Sequence, residues 1–187
     1  YTLTGTDTAL RINAANDAGA ARGLYDIAAA IRAGTSITAN LGETMTWRLP
    51  LRMADAGGYS IDPNPEEWVE GTNYSHVSDG MRDVLIPEPP YIDTDALAPH
   101  YDEWDRYLRH IVALGYNAVT WGGLIEYVTF DNAPEGAVYP DGDKHVARAV
   151  ALREGFMPFW ERAEELGVKL YLSTDMLSLT PELADYF

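Results

Sequence analysis

The sequence predicts an α/β protein in which a small N-terminal α/β domain is followed by parallel strands that open either a (β/α)8 barrel or a doubly wound sheet. The main observation is a repeat. A helix that ends on Leu-Gly and passes directly into an apolar strand occurs twice, at Gly115 and Gly167, 52 positions apart. This arrangement is the usual return of a crossover to a parallel sheet. The second observation is a preceding strand and helix that are too short to bury their own faces.

Residues 1–47 predict the small α/β domain. Residues 10–14 alternate between apolar and polar, as in a half-buried strand. Asn16 is a good cap for a following helix, and Gly34 is a good stop. Residues 35–47, which are rich in Thr, predict a further short strand or hairpin. The apolar positions of the predicted helix form one stripe: Leu24, Ile27, Ala28 and Ile31.

Three strands and two helices are predicted after residue 47. The strands are expected at 49–53, 116–121 and 168–174, and the helices at 101–114 and 146–166. Pro158 predicts a kink in the second helix or a break into two helices. The long segment after the first strand has little periodicity and predicts a functional loop. Because a complete barrel takes about 250 residues, a barrel in this chain would be truncated.

Composition excludes several function classes. The net charge of −16, from 29 acidic and 13 basic residues, disfavours nucleic acid and anionic membrane surfaces as partners. The absence of cysteine excludes thiolate metal sites, and the histidines lack metal-site spacing, so no cofactor is expected. No apolar run approaches the roughly 20 residues of a membrane helix, and no signal peptide is expected within these residues. Both a secreted and a cytoplasmic location therefore remain open.

Polar side chains follow the predicted strands. In a parallel sheet, the loops after the carboxyl ends of the strands build the functional site. Arg donates to adjacent hydroxyls, Asp and Glu accept from hydroxyls, and Trp offers a flat apolar surface, so such a set is typical of a carbohydrate subsite. Each residue is equally open to a structural role as an ion pair or a turn former. The candidate substrate-binding residues are Arg52, Asp55, Trp121, Glu126 and Asp175.

Four segments resemble xylan α-glucuronidases and β-N-acetylhexosaminidases. Residues 10–34, with "GAARGLYDIA", are similar to the strand, turn and helix of the small domain that precedes the barrel in both families. "LPLRMADAGG" from residue 49 resembles their Pro-x-Arg entry into the first barrel strand, and "YLRHIVALGYNAVTW" from residue 107 resembles their first helix and second strand. "RAEELGVKLYLSTDMLSLTP" from residue 162 is similar to the third strand of α-glucuronidases, so the resemblance favours that family.

The resemblance implies a small N-terminal α/β domain at 1–47 and, at 48–187, the first three strands of a truncated (β/α)8 TIM barrel. It implies hydrolysis of O-glycosidic bonds in a polysaccharide such as xylan by a pair of carboxylic acids. In both families these acids follow later strands, so the catalytic residues are expected beyond Phe187 and this chain alone is expected to be inactive. Arg52 corresponds to the first-strand Arg that contacts sugar hydroxyls in hexosaminidases. The run "WGGLIEYVTF" after the second strand departs from both families.

Other functions remain open from the residues alone. One is a non-catalytic carbohydrate-binding or scaffold protein, and another is a self-contained α/β enzyme with its site at Asp55, Glu126 and Asp175. A β-N-acetylhexosaminidase is a further alternative. Carbohydrate is the expected partner if the chain is part of a glycoside hydrolase. Because the third strand of a truncated barrel has an unpaired edge, association through that edge is also expected.

Overall fold

The computed structural model describes residues 1–6, 8–54, 84–122, 125–133, 138–173 and 181–186. Within these residues, helices combine with a two-stranded antiparallel sheet and a three-stranded parallel sheet. This arrangement confirms the α/β class. The last two strands of the parallel sheet lie where the Leu-Gly repeats predicted strands.

The N-terminal unit has two strands and one helix: β1 (Thr2–Thr6), β2 (Ala9–Asn13) and α1 (Asp17–Ala33). β1 pairs with β2 in antiparallel fashion. α1 begins as predicted, because the Asn16 side chain accepts a hydrogen bond from the Gly19 amide at 2.9 Å. Gly34 ends the helix in the left-handed region with φ at 66°. The predictions of β2 and α1 are confirmed, whereas β1 was not predicted.

The predicted strand or hairpin at 35–47 is wrong. This segment forms turns and folds back onto β1, with a bridge between Thr44 and Thr2. The apolar stripe of α1 is only partly covered, because Leu24 and Ile31 are 62% and 64% exposed. Partial cover agrees with the expectation that a layer of this size cannot bury its own face.

Strands and helices alternate in the remainder: β3 (Met53–Ala54), α2 (Thr94–Leu114), β4 (Ala118–Gly122), α3 (Lys144–Glu165), β5 (Lys169–Ser173) and α4 (Pro181–Tyr186). A 3₁₀ helix at Ile125–Tyr127 lies between β4 and α3. The sheet order is β3-β4-β5, and all three strands are parallel. Ala118 pairs with Met53 on one side and Lys169 on the other. The three predicted strands are present, although β3 begins four residues later than predicted.

Both helices of this region begin earlier than predicted. α2 begins at Thr94 because the Asp93 carboxylate accepts hydrogen bonds from two amides of the first turn at 3.0 and 3.1 Å. Pro99 lies inside this helix. α3 runs without interruption through Pro158, so the predicted alternative of two separate helices is wrong.

The core lies between one face of the parallel sheet and the helices α2 and α3. Val119 and Trp121 project from the same face of β4, because side chains alternate along a strand. Trp121 contacts Trp104 of α2 and Phe156 of α3, with ring centroids 5.3 and 5.4 Å apart. The Trp104 indole N–H donates to the Phe159 carbonyl at 2.8 Å. Both helices therefore cover the same face of the sheet.

An ion pair also joins α2 and α3. Arg162 Nε donates to the Asp105 carboxylate at 2.6 Å, and Arg109 binds the same carboxylate at 2.8 Å. The two guanidinium groups, that of Arg109 first, hold the pKa of the Asp105 carboxyl below its usual range. Because the Asp105 side chain is partly exposed, solvent screens this contact and its contribution to stability is modest.

Gly115 lies where the Trp47 ring packs against the end of α2, just before β4. It ends α2 with φ at 94°, and the Trp47 ring packs so closely on it that an added Cβ would lie 2.1 Å from the ring. Glycine is therefore required for its backbone conformation and for its lack of a side chain. Beside it, the Asn117 side chain accepts from the Arg52 amide and donates to the Pro50 carbonyl, both at 2.8 Å. The Gly-Tyr-Asn turn thus anchors the entry to β3.

Gly115→Ala is expected to lower the free energy of unfolding by about 2–5 kcal/mol. The left-handed backbone contributes about 1–2 kcal/mol and overpacking against Trp47 about 1–3 kcal/mol. Gly34→Ala is the matched control, since Gly34 also ends a helix with positive φ but has no atom within 4 Å of an added Cβ. Urea unfolding followed by circular dichroism measures both losses. Equal losses would contradict the close packing of Trp47 on Gly115.

Candidate functional site

The carboxyl edge of the parallel sheet is the candidate functional site. β4 ends at Gly122 and β5 ends at Ser173, and these two residues pair in register, so both strands reach the edge together. The 3₁₀ helix begins three residues after Gly122 and carries Glu126. Glu126 therefore follows the second strand of the parallel sheet, as the sequence predicted.

The Glu126 side chain is 5% exposed. Next to it, the Tyr127 hydroxyl accepts a hydrogen bond from Trp121 Nε1 at 2.7 Å and lies 3.5 Å from the Gly122 carbonyl. Burial raises the pKa of Tyr127 well above its usual value, and the Glu126 charge acts in the same direction against the Trp121 hydrogen bond. Arg153 Nη1 donates to the Tyr127 carbonyl at 3.0 Å. The 3₁₀ helix that carries Glu126 is thus held to both β4 and α3.

The prediction of Trp121 as a flat surface for a sugar is wrong. Trp121 lies within β4, and its side chain is fully buried. Its ring packs against Trp104, Phe156 and Trp160 in the helical layer. A residue near the end of a strand lies close to the carboxyl edge, but its side chain can still point into the core.

The predicted position of Arg52 at the carboxyl edge is also wrong. Arg52 precedes Met53, the first residue of β3, and therefore lies at the amino edge. Its Nε donates to the Gly115 carbonyl at 2.6 Å, and its Nη1 donates to the Leu49 carbonyl. The error arose because the apolar residues from Leu49 onward predicted a strand, whereas β3 begins only at Met53.

Asp55 and Asp175 lie outside the described residues, so their contact with a substrate stays a prediction. Asp55 comes directly after the described end of β3, and Asp175 comes two residues after β5. Of the three candidate residues that the structure describes, it brings Glu126 to the carboxyl edge and places Arg52 and Trp121 elsewhere.

Two buried polar residues, His145 and Arg148, lie near this edge and were not predicted as site residues. They belong to the first turns of α3, which packs against the 3₁₀ helix. The His145 imidazole stacks on the Tyr139 ring, with centroids 4.2 Å apart and planes 18° apart. Asp143 is the feature of the sequence that could have drawn attention to His145. Its carboxylate caps α3 by accepting a hydrogen bond from the His145 amide at 2.7 Å. The cap holds this histidine in the first turn.

The pKa of His145 lies below its usual value. Burial is the main cause and the Arg148 charge acts in the same direction, whereas the Val128 backbone, Asp143 and Glu182 oppose it. Neither imidazole nitrogen makes a hydrogen bond of normal geometry within the described part of the chain. These observations indicate a neutral imidazole at pH 7.

Near the carboxyl edge, the structure places the Glu126 carboxyl together with a neutral imidazole and a guanidinium of the neighbouring helix, and all three residues are buried. Groups of this kind suit hydrogen bonding to sugar hydroxyls. Within the described segments, no group of three or more His, Asp or Glu residues could hold a metal ion. No helix among those same segments is long and apolar enough to cross a membrane.

No protein family, curated protein or solved structure that was compared with the chain matches it. The resemblance to α-glucuronidases therefore depends on the four sequence segments quoted above.

The free energy of unfolding is expected to decrease as the pH falls below about 6.5. Histidine in the unfolded chain has a pKa near 6.5, whereas buried His145 resists protonation, so the unfolded state binds more protons in this range. The contribution of His145 to stability is therefore fully present above this pH and is lost below it. Urea unfolding at a series of pH values between 7.5 and 5 measures the effect.

His145→Gln is expected to flatten this part of the pH profile, and His110→Gln, at an exposed position of α2, is the matched control. The slope with pH is the quantity to compare, since either variant can change stability at a single pH. A slope that His145→Gln leaves unchanged would contradict a buried, neutral imidazole.

Proposed function

We propose that this chain is part of a glycoside hydrolase of the α-glucuronidase-like kind, with β3, β4 and β5 as the first three strands of a (β/α)8 barrel. The observation that carries this proposal is that α2 and α3 pack on the same face of a sheet whose strands stand in chain order. A barrel keeps every helix on its outer face. One βαβαβ half of a doubly wound sheet has the same local arrangement, and the resemblance of the sequence to barrel enzymes is what favours the barrel.

The N-terminal unit supports the same proposal. It precedes the parallel sheet along the chain, in the order of the small domain and barrel that the sequence resembles, with 1–47 before 48–187. Arg22 Nη1 of α1 donates to the Ala113 carbonyl near the end of α2 at 2.8 Å. This contact lies at the amino edge of the sheet, whereas barrel enzymes bind their substrates at the carboxyl edge.

The proposed substrate is a xylan-type oligosaccharide bound at the carboxyl edge. Glu126 is assigned to hydrogen bonding with a sugar or with a residue that contacts the sugar, and Asp55 and Asp175 are assigned to substrate contact by their position after β3 and β5. Hydrolysis takes two carboxyl groups about 5–10 Å apart. We assign that pair to later barrel strands, beyond Phe187, because the catalytic acids follow later strands in both families that the sequence resembles.

Binding of aldouronic acids, which are xylo-oligosaccharides with a glucuronate branch, tests this proposal by isothermal titration calorimetry. Glu126→Gln is expected to weaken binding about tenfold, the effect of losing a hydrogen bond to a charged group. Glu161→Gln, at an exposed position of α3, removes the same charge away from the edge and is the matched control. Chito-oligosaccharides in a parallel titration represent the β-N-acetylhexosaminidase alternative.

Turnover of aldouronic acids and aryl glycosides is expected to be absent from these 187 residues. A folded protein that binds neither class of oligosaccharide would overturn the proposal. Hydrolysis by this chain alone would instead show that its catalytic acids lie within it, and would favour a self-contained enzyme.

A non-catalytic carbohydrate-binding protein is the second candidate, because the candidate residues of this chain are assigned to substrate contact and not to catalysis. Both candidates predict that the chain binds an oligosaccharide. The two candidates differ in the activity that they predict for the longest polypeptide encoded by the parent reading frame. That polypeptide is expected to hydrolyse aldouronic acids only if the chain belongs to a hydrolase.

We also propose that, in this chain on its own, the outer edge of β5 associates with a second copy. In the part of the chain that the structure describes, β5 pairs with β4 alone, and Tyr171 and Leu172 are 42% and 40% exposed. An exposed strand edge with apolar side chains favours pairing with another strand.

Tyr171→Lys is expected to reduce concentration-dependent association, because a lysine on an edge strand disfavours pairing with another chain. Met157→Lys, at an exposed apolar position of α3, is the matched control and is expected to leave association unchanged. Sedimentation velocity over a range of concentrations measures both. A wild-type chain that remains monomeric throughout would contradict association through β5.

A further inference from the structure

A cleft of about 400 Å³ lies at the amino edge, between α1 and the residues that lead into β3 and β4. Its volume is within the range of about 300–1,000 Å³ that is usual for small-ligand sites. Its polar lining comes from both units of the chain: Asn16, Arg22 and Asp26 from the N-terminal unit, and Arg52 and Asn117 from the entry to the sheet. The Trp47 ring forms part of the wall.

Two arginines meet in this cleft. The guanidinium carbons of Arg52 and Arg22 lie 4.1 and 5.1 Å from the centroid of the Trp47 ring. A cation near an aromatic face is attracted to it, so Trp47 holds both positive groups in one place. This concentration of positive charge contrasts with the net charge of −16 of the chain.

The negative charge of Asp26 balances one of these arginines. Asp26 Oδ1 pairs with Arg22 at 2.5 Å, and Asp26 Oδ2 accepts from the Tyr1 hydroxyl at 2.5 Å. Arg52 has no carboxylate partner among the described residues, and its hydrogen bonds go to two backbone carbonyls. Burial, followed by the nearby Arg22 charge, lowers the pKa of Arg52. The charged side chains that line the cleft, Arg22, Asp26 and Arg52, therefore carry one net positive charge, and Asp17 adds a negative charge to the first turn of α1.

The role of these residues in joining the two units accounts for only part of the arrangement. The backbone contacts of Arg52 use Nε and Nη1, and within the described residues Nη2 has no hydrogen-bond partner. The first turn of α1 also lines the cleft, through Asn16, Ala18 and Gly19. The Gly19 amide binds the Asn16 side chain, whereas the Ala18 amide belongs to the helix positions that lack an intrahelical acceptor. Residues of two elements that carry such donors thus line one cavity.

We propose that this cleft binds a small oxyanion, either the carboxylate of a sugar acid or a phosphate, through Arg52 and the first turn of α1. Arg52 Nη2 supplies a charge-assisted hydrogen bond, and the positive end of the helix dipole attracts the same charge. The site is independent of the proposed hydrolase function, because it lies at the amino edge, about 13 Å along β4 from the carboxyl edge.

Titration of the ¹⁵N-labelled chain with sodium glucuronate, inorganic phosphate and neutral glucose at constant ionic strength tests this proposal. Glucuronate differs from glucose by a carboxylate, so the pair isolates the contribution of the charge. We expect glucuronate or phosphate, but not glucose, to shift the amide resonances of Ala18 and Gly19 and the indole resonance of Trp47. Shifts with both anions indicate a site that binds oxyanions in general. Shifts with only one anion show whether the ligand is the carboxylate of a sugar acid or a phosphate.

Two variants test the residues. Arg52→Gln is expected to weaken anion binding at least about tenfold, with Arg32→Gln, at an exposed position of α1, as its control. Because Arg52 also joins the two units, Ala18→Asp provides a second test that adds a repelling carboxylate at a helix position that favours acidic residues. Ala29→Asp adds the same charge about 16 Å further along α1.

The expected result is anion binding that Ala18→Asp abolishes and Ala29→Asp retains, with circular dichroism showing that both variants are folded. Equal shifts with glucose, shifts confined to residues outside the cleft, or wild-type affinity in Ala18→Asp would each overturn the proposal. Loss of aldouronic acid binding in Glu126→Gln but not in Ala18→Asp bears only on the hydrolase proposal, so this pair of variants lets the two proposals fail independently.

Discussion

The packing of the Trp121 indole is the interaction on which the described α/β layer depends. Its ring lies where β4, α2 and α3 meet, and both helices contribute aromatic rings within 6.2 Å of its centroid: Trp104, Phe156, Phe159 and Trp160. A buried aromatic side chain removes about 150–250 Å² from water, so this cluster dominates the apolar burial of the layer. The indole N–H binds the Tyr127 hydroxyl and thereby connects the core to the 3₁₀ helix. The position of Glu126 therefore depends on the packing of the core.

The two edges of the parallel sheet have different chemistry. Because all strands run in one direction, their amino ends meet at one edge and their carboxyl ends at the other. Arg52 and Trp47 lie at the amino edge, where they connect the two units and line a positively charged cleft. Glu126 lies near the carboxyl edge, and buried His145 and Arg148 lie on the helix that packs beside it. A ligand at one edge need not compete with a ligand at the other.

Local signals were sufficient for much of the fold. Asn16 and Gly34 predicted the ends of α1, and the Leu-Gly repeats predicted the returns to β4 and β5, because capping and turn chemistry act within a few residues. The same kind of signal failed for residues 35–47, which fold onto β1 instead of forming a hairpin. That outcome depends on a strand more than thirty residues away along the chain, which local propensity does not include.

The candidate site was predictable only in part. The sequence predicted correctly that Glu126 follows the second parallel strand. That prediction depends on the existence of the strand and not on its exact first and last residues. Predicting the positions of the Trp121 and Arg52 side chains required the exact bounds and register of the strands. A shift of one residue in a strand turns each side chain to the other face, and a shift of a few residues moves a side chain from one edge of the sheet to the other.

The amino-acid sequence by itself determined the α/β class, the order of β3, α2, β4, α3 and β5, and the glycines at which the chain returns to the parallel sheet. Only the tertiary structure decided that Trp121 points into the core and that Arg52 lies at the amino edge beside Trp47. The physical reason is that face and edge are set by strand register and by packing between distant elements. Those contacts join residues such as Arg52 and Gly115, or Trp121 and Phe156, which are far apart along the chain.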